Sequence, residues 1–163
     1  MANQDSTLTQ EYVKFLFDYK DGNLYWKQNV GHIKANTKAG SVLNSGYRSI
    51  VFDRKRYQAH RLIFLFHHGY LPQYIDHIDG NRLNNFIENL RPATKSQNSM
   101  NKQFDAKNTS GYRNVYWHKD CKKWIVTLMV SRKSIYIGSF DNLELAGLVA
   151  DEARRKYHGK FAR

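Results

Sequence analysis

Cysteine is nearly absent: the single Cys121 in 163 residues allows no internal disulfide and excludes a structural zinc site built on paired thiolates, so any metal falls to His, Asp, Glu or Asn. Long apolar runs are missing as well. The longest, Leu62-Ile63-Phe64-Leu65-Phe66, is far short of the ~20 residues that cross a bilayer. The N-terminus, Met1-Ala2-Asn3-Gln4-Asp5, has no basic-then-apolar export signal. A cytoplasmic protein without a membrane partner is expected. Acidic residues are scarce: 14 Asp+Glu against 26 Lys+Arg leave a net charge of +12, which points to a partner carrying phosphates. The excess is +5 over residues 1–106 and +7 over the shorter 107–163, so the C-terminal part is the more densely basic. With 41% hydrophobic and 25% charged residues the chain can otherwise bury an ordinary core, which excludes wholesale disorder and a fibrous repeat.

Thr7 and Gln10 form a capping box, and Tyr12, Phe15, Leu16 and Tyr19 follow at i, i+3, i+4, i+7; this spacing predicts a short amphipathic helix ending near Gly22. Leu24-Tyr25-Trp26 and Tyr47 to Phe52 read as short antiparallel strands, the second followed by a polar turn at Asp53 to Arg56. Arg61 to His68 suits a buried helix closed by Gly69 and Pro72, with His67 and His68 favourable to its dipole. Residues 73–101 hold six asparagines and few apolar positions. Such a segment needs a reason to be ordered.

That reason lies in Asp76-His77-Ile78-Asp79-Gly80-Asn81, then Asn89-Leu90-Arg91, then Thr94 to Asn98. Asp79-Gly80-Asn81 is a turn signal between two extended stretches, and Thr94 with Gln97 is a second capping box. The predicted unit is a hairpin running into a helix, ββα. Folded back, its first helical turn can bring the Asn98 amide oxygen near the Asp76 carboxylate. Two oxygen donors with open water positions suit one hard divalent ion, Mg²⁺ or Mn²⁺. Neighbours on a strand face opposite ways, so Asp76 and His77 reach one spot only on an irregular strand. His77, ordinarily titrating near 6.5, could take a proton from water while the metal stabilises charge on a phosphate.

These residues resemble the HNH nuclease family in the variant whose last histidine is asparagine. His60-Arg61-Leu62 and the Gly46-Tyr47 strand are similar to the N-terminal part of phage and intron-encoded HNH homing endonucleases. The resemblance implies a ββα-metal (His-Me finger) fold, His77 as general base, Asp76 and Asn98 as metal ligands, and Asn89 as the central asparagine that braces the hairpin loop and orients His77. His60 and Arg61 are possible accessories, a structural histidine at a helix start being the competing reading of His60. An Asp-His pair alone is commonly a loop feature; four positions in register set this one apart.

A polar linker at 105–110 separates this region from a second module. There Trp124, Val126, Leu128 and Val130 alternate with Ile125, Thr127 and Met129 as in a two-faced strand. Asp141 to Glu144 caps a helix whose Ala146, Ala150 and Ala153 share a face with Tyr157. Asn108 to Val115, Lys123-Trp124, Tyr136 to Phe140 and His158 to Ala162 look like the plant ethylene-response-factor (Apetala-two) DNA-binding domain. That resemblance implies a three-stranded sheet in the major groove, with Arg113, Tyr116, His118, Thr127, Met129, Ser134 and Tyr136 facing DNA. Lys119, Lys122, Lys123, Arg132 and Lys133 are left for phosphates. The plant domains use several arginines on this face where this chain has Tyr, His, Met or Ser, so guanine readout should be weaker.

The expected protein is α+β: an N-terminal helix and strands over 1–56, the nuclease core over 57–104, the linker, and a three-stranded sheet packed on one helix over 111–163. The expected function is a metal-dependent, homing-type endonuclease, phage-encoded and so acting in the host cytoplasm. It would cut double-stranded DNA as a monomer or weak dimer, one unit nicking one strand. The competing readings are a DNA-binding regulator with a non-catalytic HNH unit and, through Tyr116, Trp117 and Tyr136, an RNA-binding protein.

Overall fold

A computed structural model describes residues 8–101, 108–131 and 133–162. The chain divides into two compact units, 1–94 and 95–163, so the division comes ahead of the 105–110 stretch expected as a linker; residues 105–107 of that stretch lie outside the described residues.

In the first unit, α1 (Gln10–Leu16) is capped by the Thr9 side chain, which accepts from the Tyr12 N–H. Thr7, expected as the cap, lies outside the described residues. The helix ends at Leu16, not near Gly22. Phe17–Lys20 forms β1, paired antiparallel with β2 (Asn23–Trp26), and Tyr19 therefore sits in a strand. The cause is the two-residue turn Asp21-Gly22, both at positive φ (49° and 71°), a conformation that matches the twist of a hairpin. A helical spacing of apolar residues lost to turn chemistry. Ser41–Val42, Arg48–Phe52 and Lys55–Gln58 form a second sheet, β3-β4-β5, whose β4–β5 turn again has positive φ at Asp53 and Arg54.

The apolar run expected as a helix is α2 (Ala59–His68), closed by Gly69 at φ 74°. The Gln10 side-chain amide donates to the Phe66 carbonyl at 2.8 Å, satisfying one of the acceptors a helix end leaves open. Ala59, Leu62, Ile63, Phe64 and Leu65 are buried with Val13, Phe17, Leu24, Trp26, Ile50, Phe52, Ile75 and Leu90 in one core. On it rests the hairpin of β6 (Tyr74–His77) and β7 (Leu90–Ala93), joined by residues 78–89, with a 3₁₀ turn at Ile87–Asn89.

The second unit opens with α3 (Lys95–Met100). Three antiparallel strands, β8 (Val115–His118), β9 (Lys123–Val130) and β10 (Lys133–Phe140), form a sheet with β9 central, packed on α4 (Leu143–His158). The Asn142 side chain caps α4 by accepting from the Leu145 N–H at 2.8 Å. The alternation of β9 is imperfect: Val126 and Leu128 are buried, but so is Ile125 on the other face. Ala146 and Ala150 meet Val115, Val126 and Trp124, small residues letting helix and sheet come close, whereas Tyr157 stays exposed.

Gly147 carries the same close packing to its limit. A Cβ there would lie 2.3 Å from the Tyr112 ring. Alanine is the better helix former by about 1 kcal/mol, but overpacking costs about 1–3 kcal/mol. Gly147→Ala should therefore lower stability in a urea titration, and a raised midpoint would show that the ring simply moves aside.

Candidate functional site

The β6–β7 ladder is regular through His77: Asp76 is opposite Arg91 and His77 opposite Leu90. The two adjacent residues therefore face opposite ways. Asp76, 3% exposed, receives Arg91 through Nε at 2.8 Å and Nη2 at 2.6 Å, both on Oδ2. A carboxylate this deep needs such a charge partner.

His77 points toward a different set of groups. Its Nε2 is 3.0 Å from the Asn85 Oδ1, and its ring lies edge-on to His60, centroids 5.0 Å apart, with Tyr47 at 6.1 Å. Tyr47 also meets His60 at 5.3 Å. The Arg82 guanidinium lies over Tyr47 at 4.9 Å and donates to the Ser45 carbonyl at 2.7 Å. Burial, helped by His77 and Arg61, pushes the His60 pKa down to about 3. Burial also lowers that of His77, against the opposing pull of Asn85, Asp79 and Asp76. Both rings are neutral at neutral pH. Arg61 donates to the carbonyls of Pro72 and Gln73.

Asn89 holds the connecting segment together. Its Oδ1 accepts from the Asp79 N–H at 3.0 Å, and its Nδ2 donates to Asp79 Oδ1 at 2.9 Å and to the Asn84 carbonyl at 2.7 Å. Asp79 also accepts from the Asn81 N–H and from Asn84 Nδ2. Partial burial pushes the Asp79 carboxyl up, but these hydrogen bonds outweigh it and leave its pKa lowered. An amide offers donor and acceptor at once, which is why an asparagine-rich segment with little core can be ordered.

Asn98 lies half-buried on α3, in the second unit. Among the described residues no group of three or more His, Cys, Asp or Glu is placed to hold a metal. The expected donor set, one carboxylate and one amide oxygen, is smaller than such a group. Its chemistry suits a hard divalent ion.

In the second unit, the face of the sheet away from α4 presents Tyr116, Met129 (56% exposed) and Tyr136 (61% exposed), with Thr127 paired to Tyr136 and Met129 to Ser134. His118, Lys119, Lys122 and Lys133 are exposed. Lys123 pairs with Asp141 at 3.3 Å, and Arg113 donates to the Met100 carbonyl at 3.4 Å. Arg132 lies outside the described residues.

Asn85 and Arg82 are site residues that the sequence did not single out, and Asp79, Tyr47 and Arg91 stood inside its motifs without a site role. Only Arg91 left a readable signal, an opposite charge at the cross-strand position from Asp76.

The profile of the HNH endonuclease family matches residues 57–100, a stretch that runs from β5 to α3 and contains every nuclease-site residue predicted above. Protein 3.8 of Escherichia phage T7 is 41% identical over 90 residues, 55% of this chain and 74% of the phage protein. An HNH endonuclease of Acanthamoeba polyphaga mimivirus is 45% identical over 74 residues, 44% of this chain but 38% of that protein, so the match spans well under half of the mimivirus relative. No solved structure matches. Residues 57–100 are therefore an HNH endonuclease domain, which is the domain of a nuclease hydrolase. Both of these relatives are viral. Among the described residues no helix is long and apolar enough to cross a membrane.

Two measurements check this geometry. Asn89→Ala removes three hydrogen bonds around Asp79 and should cost about 1–3 kcal/mol in urea unfolding; a loss below a few tenths would remove Asn89 from that role. The unfolded chain takes up a proton at position 60 near pH 6.5, but the folded one only near 3. Between these values the unfolded state binds more protons, so stability should fall as pH drops below 6.5, by up to about 1.4 kcal/mol per unit from this group. A flat profile from pH 7 to 5 would contradict it.

Proposed function

We propose that the protein is a metal-dependent DNA endonuclease of homing type that hydrolyses phosphodiester bonds, with His77 as its general base. The observation that carries this reading is the pair at the end of β6: inside the matched HNH stretch, Asp76 is buried and held by Arg91, and next to it His77 is buried as a neutral ring held by Asn85. A ring that burial keeps unprotonated has a lone pair for a proton from water at neutral pH. Asn89 braces the segment that follows His77, so the base keeps its place.

Asp76 and Asn98 would hold a divalent ion, Mg²⁺ or Mn²⁺. When bound, such an ion supplies positive charge against the charge that builds on the phosphate and leaving oxygen. Arg91 limits how far the Asp76 carboxylate can turn.

The second unit is proposed to be the Apetala-two-like module that seats the nuclease on duplex DNA. Tyr116, Thr127, Met129, Ser134 and Tyr136 would lie against the groove, with Lys119, Lys122 and Lys133 near phosphates. The ion pair of Lys123 with Asp141 makes it a weaker phosphate contact than its exposed neighbours. One unit nicks one strand; a double-strand break requires a second copy.

One observation favours a second reading, a DNA-binding regulator with a non-catalytic HNH unit: the Asp76 carboxylate is already engaged by an arginine. Supercoiled plasmid separates the two. The nuclease nicks it with Mg²⁺ or Mn²⁺ and not with EDTA, and His77→Ala abolishes nicking while duplex binding stays within about threefold, because the base acts only in the chemical step. Binding without cutting in either metal would establish the regulator.

A further inference from the structure

Within the 78–89 connection one residue is buried, Asn85, 2% exposed. It takes no part in the Asp79 network; its side chain meets His77 instead. Its backbone is fixed from the opposite side. The Asp21-Gly22 turn lies so close that a Cβ on Gly22 would be 3.2 Å from the Asn85 carbonyl carbon and 3.0 Å from the Phe86 nitrogen. The Tyr19 hydroxyl accepts from the Ile87 N–H at 3.2 Å. The β1–β2 hairpin thus holds residues 85–87 independently of whatever His77 does.

A neutral imidazole carries its single proton on one nitrogen and a lone pair on the other, and the partner of one nitrogen decides which. Oδ1 of an amide only accepts. At 3.0 Å from Nε2 it favours the ring with the proton on Nε2, which then donates, and disfavours the ring whose Nε2 lone pair would face the oxygen.

We infer that Asn85 is a positioning residue that sets the tautomer of His77, placing the proton on Nε2 and the lone pair on Nδ1, and so makes Nδ1 the nitrogen that takes the proton from water. This rests on the reading of His77 as general base. In the step itself Nδ1 gains a proton, the water oxygen bonds to phosphorus, and the leaving oxygen departs with the electron pair of its P–O bond. The imidazolium so formed still donates from Nε2 to Asn85, so the bond survives the chemistry unchanged.

The test is long-range ¹H–¹⁵N correlation of the His77 ring in the full chain, together with nicking of supercoiled plasmid in Mg²⁺. The native protein should show the Nε2–H pattern at neutral pH. Asn85→Leu should shift the ring toward Nδ1–H and slow nicking by about 10–100-fold while plasmid binding changes by less than about threefold. Asn85→Asp, which still accepts, should keep the native pattern and nick within about tenfold of the native rate. A native spectrum of the Nδ1–H form overturns the proposal even if Asn85→Leu does not fold. So does an Asn85→Leu protein that folds with unchanged tautomer or unchanged nicking. Retained nicking in His77→Ala would instead overturn the reading beneath it, while nicking lost in His77→Ala but untouched in Asn85→Leu would overturn this inference alone.

Discussion

The nuclease end of the first unit depends on hydrogen bonds closing on themselves. Residues 78–89 bury a single side chain completely and pack only Ile87 partly on the core, so apolar packing does little to hold them, and the two strands they join are four residues each. Order comes from Asp79, whose carboxylate collects donors from Asn81, Asn84 and Asn89 while Asn89 returns an acceptor to the Asp79 backbone. Each bond adds about 1 kcal/mol net, but leaving a partner unmet in a half-buried setting costs more. The set therefore holds or fails together.

The same economy shapes what surrounds His77. Two histidines with edge-to-face rings at 5.0 Å can coexist in a buried place only while neither is charged. His60 is the deeper neutral partner, and Tyr47, covered by Arg82, completes the wall. The Arg82 guanidinium over the Tyr47 face adds its charge to the burial that keeps His77 neutral. On the other face of the same strand the arrangement is reversed: Asp76 is paired with Arg91, which stands directly across the ladder.

Much of this was legible in the sequence, and the failures have physical causes. The buried helix of residues 59–68, the strands around Ile50 and Leu128, and the alanine stripe of α4 follow from periodicity and from Gly69 and Asn142 at their ends. The first helix was read too long because Tyr19 falls at a helical spacing, yet Asp21-Gly22 is a hairpin turn and tight turns override a two-turn pattern. Within the site, Asp76, His77 and Asn89 stood out by spacing. Asn85 did not, because six asparagines in one segment look alike until the backbone buries one of them. Arg113 follows from the family resemblance and Lys123 from its charge, neither of which can show that a carbonyl or an aspartate already engages them.

The self-contained network around Asp79 has one more consequence. A loop whose central carboxylate is answered from within its own segment places few demands on its neighbours: a strand pair beneath it, one turn pressed against its back, and the Ser45 carbonyl and Tyr19 hydroxyl at its sides. Such a segment is portable. Recombination can splice it between unrelated flanking sequences without breaking it, and selection is then free to remodel the appended modules while the cassette keeps its shape.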